Sequence, residues 1–102
     1  MASIQGNDVK KLVVACDAGM GSSVLLANQL KKQLKKSGVT VEHSPVDSIP
    51  DDADVVLTHS QLADRARRLA GDRPVVPFNL FVGDPAVSAV VKAIQGGTTI
   101  DG

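Results

Sequence analysis

Short apolar runs that alternate with helical stretches limit this chain more than any other feature. Residues Lys11 to Ala15 (KLVVA) are short, apolar and β-branched, the make-up of a strand buried on both faces. Small, flexible residues follow (CDAGMG, Cys16 to Gly21), and a helix is expected from Ser22 or Ser23. Val24, Leu26, Ala27, Leu30 and Leu34 are spaced for one helical face. Lys31, Lys32, Lys35 and Lys36 gather in the last turns, where cations suit the helix dipole, and Gly38 is the stop.

The pattern then recurs. Val39 to His43 alternates like a strand, and Asp54 to Thr58 (DVVLT) is another apolar run. Gln61 to Leu69 reads as a helix with Leu62, Ala66 and Leu69 on one side, ended by Gly71. Val75 to Phe78 is a fourth strand beside Pro74 and Pro77. Pro85 to Ile94 suits a closing helix, with Asp84 as N-cap and Pro85 at its first position. Such alternation implies an α/β, Rossmann-like fold: four parallel strands in the order 2-1-3-4, flanked by three helices. Residues 1–9 and 96–102 carry no period and are expected as a flexible N-terminus and a tail or linker around a domain over 10–95.

Composition excludes several function classes. The 102 residues suit one domain, and 43% apolar content with zero net charge excludes disorder. Eleven basic residues against eleven acidic ones leave no footprint for nucleic acid, and 2% aromatic content leaves no stacking platform. No apolar run approaches the roughly 20 residues of a membrane span. Residues 1–10 lack the pattern of a signal peptide. One cysteine forms no internal disulfide and points to a reducing cytoplasm. With His43 and His59 it makes a poor metal set, and no cofactor is implied.

In a parallel sheet, ligands bind beyond the carboxyl ends of the strands, where the Cys16 loop emerges. Gly19 and Gly21 allow the loop to turn several N–H groups toward one point, an anion nest extended by the helix N-terminus. Ser22 and Ser23 offer caps or hydroxyl donors. A thiol at the mouth of that nest is acidified, because its thiolate receives the same donors. Cys16 thus reads as a phosphoryl acceptor, with Asp17, Ala18, Gly19, Met20, Gly21, Ser22 and Ser23 as the phosphate cradle. The bland alternative is a small buried cysteine. Other phosphate loops fit worse: no lysine follows Gly21, the dinucleotide fingerprint lacks its third glycine at Val24, and there is no Cys-x-x-Cys pair.

Two families place a cysteine at the end of the first strand with a phosphate loop behind it. Low-molecular-weight tyrosine phosphatases use Cys-x5-Arg-Ser/Thr, but here the arginine position holds Ser22. The stretch Val14-Ala-Cys-Asp-Ala-Gly-Met-Gly-Ser-Ser23 resembles instead the mannitol-type IIB component of the bacterial phosphoenolpyruvate-dependent sugar phosphotransferase system. Asp54-Val-Val-Leu-Thr-His59, Leu62 and Arg65-Ala66 support the resemblance, which spans roughly residues 10–95 and weakens after Pro74. It implies a protein-phosphohistidine–sugar phosphotransferase. A IIA phosphoprotein donates to Cys16, and the phosphocysteine passes the group to a sugar or sugar alcohol entering through a IIC membrane transporter. It also implies a cytoplasmic domain, held at the membrane's inner face through IIC. The rivals are a small cysteine phosphatase and a regulatory IIB-like binding module.

Further features have plainer readings. Asp17 beside the thiol opposes its acidification and gets no catalytic task. Met20 offers an apolar docking contact or simple packing. Asp84-Pro85 reads as a helix start, although phosphatases place an Asp-Pro general acid late in the chain. His59, at the end of a strand on the loop's edge, is expected in a structural or interface role. Arg65, Arg67 and Arg68 read as a solvated helix face.

Overall fold

A computed structural model of the chain describes residues 3–16, 21–71, 73–79 and 85–101. In chain order the elements are β1 (Ser3–Gln5), β2 (Lys11–Cys16), α1 (Gly21–Gln33), β3 (Thr40–Pro45), β4 (Val55–His59), α2 (Ala63–Ala70), β5 (Val75–Phe78), α3 (Pro85–Gly96) and β6 (Thr99–Asp101). Single 3-10 turns link several of them.

The main sheet has four parallel strands in the order β3-β2-β4-β5. With the Lys11–Cys16 strand counted as first, this is the order 2-1-3-4. The two central strands are apolar throughout because both their faces are covered. Leu12 and Val14 of β2, with Val55 and Leu57 of β4, meet Leu26, Leu30 and Leu34 and the α3 residues Val87, Val90 and Ile94. Val13, Ala15 and Val56 face the other way, against Ala66 and Ala70 of α2, Val46 and Ala53. Two helices therefore cover one face and α2 covers the other.

Two helical faces differ from expectation. In α2 the buried residues are Ala63, Ala66 and Ala70, while Leu69 is 47% exposed. At 3.6 residues per turn, Leu69 lies about 110° from the line joining Ala63 and Ala70. The helix enters through a 3-10 turn, Ser60–Leu62, and the small alanine face lets it lie close to the sheet. In α1, Leu26, Ala27, Leu30 and Leu34 line the inner side, but Val24 is 37% exposed. Val24 sits about 120° around the helix from Leu30. α1 itself ends at Gln33, and a 3-10 turn carries the chain to Gly38, whose φ of 72° is the left-handed conformation that favours glycine.

Near the ends of the described chain lie two further strands. β1 and β6 form a second, antiparallel sheet with Ile4 opposite Ile100, and Gln5 Nε2 donates to Thr99 Oγ1 at 2.9 Å. One isoleucine in each short segment has no period to reveal it; the pairing appears only once both lie against the core. Gly6 then crosses α3 closely. Its N–H donates to Thr98 O at 2.7 Å, and a Cβ there would stand 1.8 Å from the Ala93 carbonyl oxygen.

At the amino edge of the main sheet, Asp54 accepts from the N–H groups of Lys10 and Lys11 at 2.8 and 3.0 Å. Lys11 Nζ bridges Asp52 and Glu42, each at 3.0 Å. The hydrogen bond with Asp52, then that with Glu42, raises the Lys11 pKa; the Lys11 bond holds the Asp52 carboxyl below its ordinary 3.8.

Two predictions follow from this packing. Gly6→Ala forces the first turn off α3 and lowers stability by about 1–3 kcal/mol, measured by thermal or urea unfolding. Because folding depresses the Asp52 pKa, its stabilisation is complete above the unfolded carboxyl's pKa, near 4, and is lost as pH falls through the lower folded value. The melting temperature of Asp52→Asn should therefore lie slightly below that of the parent at pH 7 and converge with it in strong acid.

Candidate active site

Parallel strands send all their carboxyl ends to one edge, and β2, β4 and β5 deliver the polar residues there. Cys16 is the last residue of β2, in register with Pro45 of β3. On its other side Ala15 pairs with Thr58, which is fully buried, and the chain continues into His59. His59 is in turn in register with Phe78. This edge therefore carries Pro45, Cys16, His59 and Phe78 across the four strands.

α1 starts at Gly21, one or two residues earlier than the periodicity predicts. Gly21, Ser22 and Ser23 form its first turn, and its thirteen residues run away from the carboxyl edge. The first N–H groups of any helix have no partner within it, and with the positive end of the helix dipole they favour an anion. Of the predicted cradle, Asp17, Ala18, Gly19 and Met20 lie outside the described residues, as does Asp84. Leu25, beyond the first turn, is 70% exposed.

His59 is half-buried and held on two sides. Its Nδ1 accepts from the Gln61 N–H at 3.2 Å. Its ring stands edge-on to the buried Phe78, with centroids 6.0 Å apart and planes at 77°. Next to it Ser60 Oγ donates to Asn79 Oδ1 at 2.6 Å, tying the ends of β4 and β5 together. Ser60 and Asn79 were not singled out from the sequence. Their only signal is position, since each directly follows a strand on the loop's edge.

The charged residues read as solvated are mostly so. Arg65 pairs with Asp47, and Arg67 lies 3.7 Å from Asp64 one turn earlier. Lys31, Lys32, Lys35 and Lys36 are exposed. Among the described residues, no three histidine, cysteine, aspartate or glutamate side chains cluster as a metal site, and no helix is long and apolar enough to cross a membrane.

A strand ending in cysteine, ahead of a helix N-terminus in a parallel sheet, invites comparison with known proteins. Residues 11–93 match the family described as "PTS system, Lactose/Cellobiose specific IIB subunit". The chain belongs to this family. The IIB domain is 39% identical over 88 residues to the mannitol-specific cryptic EIICB component of Escherichia coli K12, covering 84% of this chain and 19% of that protein. It is 33% identical over 93 residues to the mannitol-specific EIICB component of Halalkalibacterium halodurans, covering 89% and 20%. The chain thus spans about a fifth of the length of these relatives. Among solved structures, the lactose-specific IIB domain of Streptococcus pneumoniae superposes with a TM-score of 0.55 at 19% identity, over 86% of this chain and 93% of that one. That likeness speaks for the fold.

Proposed function

We propose that the IIB domain is a phosphocarrier in which Cys16 takes a phosphoryl group from a phosphohistidine of a IIA partner and passes it to a sugar or sugar alcohol. In the first transfer the Cys16 thiolate attacks phosphorus, a P–S bond forms, the P–N bond breaks, and the histidine nitrogen leaves with the N–P electron pair. In the second, the substrate hydroxyl oxygen attacks, the P–S bond breaks, the thiolate returns, and the hydroxyl proton is released.

The observation that carries this reading is the position of Cys16, at the carboxyl end of β2 and separated from α1 by four residues. A phosphoryl group there meets main-chain donors and a helix N-terminus, which stabilise its oxygens without a general base. Asp17 to Ser23 are the proposed cradle. The mannitol-specific EIICB and EIICBA names of the relatives support a IIC transporter and a IIA donor as partners, and a sugar alcohol as acceptor. The domain then works on the cytoplasmic side of the membrane, beside its IIC partner.

The phosphatase reading is weaker because Ser22 stands where that loop carries its arginine. A planar, bidentate guanidinium favours the transition state of transfer to water. Its absence suits a carrier that must hold phosphate until it meets an acceptor.

Charging the domain from phosphoenolpyruvate, through the general phosphotransferase proteins and a mannitol-type IIA domain, should add about 80 Da, one HPO3, at Cys16. Cys16→Ser should take no stable label. A label elsewhere, or steady turnover of an aryl phosphate by the parent chain, would overturn the reading. Ser22→Arg should release phosphate from the charged domain several-fold faster, measured as loss of label to solvent.

A further inference from the structure

We propose that the outer face formed by α1 and α3 docks on a bilayer surface, with its lysines set against the anionic headgroups of the lipids. The proposed function supplies only the nearby membrane; the docking itself does not depend on the chemistry at Cys16.

The zero net charge of the chain hides a separation of charge by layer. All eleven acidic residues lie outside residues 21–38 and 85–96, the segments that build α1, the turn after it and α3. The same segments hold five of the eleven basic residues: Lys31, Lys32, Lys35, Lys36 and Lys92. All five are exposed. Among the described residues none of them enters an ion pair, whereas Lys11, Arg65 and Arg67 each sit beside a carboxylate. Asp8, in the turn that packs on α3, is exposed and pairs with none of the five.

The two helices present one face. Both cover the same side of the main sheet, so their outer sides look the same way. Gln95 Nε2 donates to the Gln33 carbonyl oxygen at 3.1 Å, and a groove lined by Gln33, Ser88 and Lys92 runs between the helices. The helix dipole favours cations at the end of α1, but Lys92 lies within α3, whose last turn has none. The dipole thus accounts for part of the cluster and not for the exclusion of acids. Leu25, 70% exposed, stands two turns before Lys32 on the outer line of α1 and offers an apolar contact to the headgroup layer.

Position favours lipid over a protein donor. The thirteen residues of α1 span about 20 Å, so the α1 lysines lie at the end remote from the carboxyl edge, where a phosphoryl donor must dock. An anionic bilayer is a broad layer of phosphates that demands no fixed geometry, and the ammonium group of lysine meets it as a point charge. With this face down, the main sheet lies parallel to the bilayer. Its carboxyl edge then opens sideways, free to meet both partners.

The test is sedimentation of the unphosphorylated chain with vesicles of phosphatidylcholine, alone or with about 30% phosphatidylglycerol. The parent should bind the mixed vesicles and not the neutral ones, and should be released at about 0.5 M salt. Lys32→Gln/Lys36→Gln and Arg67→Gln/Arg68→Gln remove the same charge from opposite faces of the sheet. The lysine pair should weaken binding about tenfold or more, the arginine pair no more than about threefold. Melting curves should show both variants folded like the parent. No binding to the mixed vesicles, equal binding to neutral ones, or equal losses in the two variants would each overturn the proposal. So would a lysine pair that keeps vesicle binding but slows Cys16 charging by a soluble IIA domain about tenfold, since the face would then belong to the phosphoprotein donor. Failure of the parent to take label at Cys16 would strike the phosphocarrier reading, and vesicle binding would still decide this one.

Discussion

The structure depends on two parallel strands that are buried on both faces. Leu12, Val13 and Val14 of β2 and Val55, Val56 and Leu57 of β4 are fully enclosed. Each such side chain contributes roughly 1.5–3 kcal/mol when withdrawn from water. The ion pairs around Lys11 and Arg65 lie at the surface, where solvent screens them, so they trim the edges of the sheet and do not hold it. The apolar strands therefore determine where everything else goes.

Parallel pairing also sorts the chemistry. The amino edge collects Lys11, Glu42, Asp52 and Asp54, charges that satisfy one another and the strand ends. The carboxyl edge collects Cys16, His59, Ser60 and Asn79, together with the start of α1. The helices cover the sheet unequally. α2 lies on it through alanines, whereas α1 and α3 bring leucines, valines and Ile94. The second sheet and Gly6 close the outer side of α3.

A carrier and a hydrolase need much the same cradle and differ in what they add to it. Under the proposed function, main-chain donors hold the oxygens and Ser22 leaves the arginine's place unfilled.

Much of this was legible in the residues themselves. Runs such as KLVVA and DVVLT mark central strands because only enclosure on both sides tolerates unbroken apolarity, and their alternation with helices allows few topologies. The start of α1 was legible in local chemistry, since glycines and serines before a helical period are readable without neighbours. What the chain could not disclose was whatever depends on distant partners. Ile4 and Ile100 pair across the whole length of the described chain; Leu69 turns outward because a short tight turn sets the phase of α2. The contact of His59 with Phe78 and the bond between Ser60 and Asn79 exist only where β4 and β5 end side by side. Local propensity and periodicity are written in neighbouring residues, whereas hydrogen-bond partners and close approach are decided by which atoms the fold brings within a few ångströms.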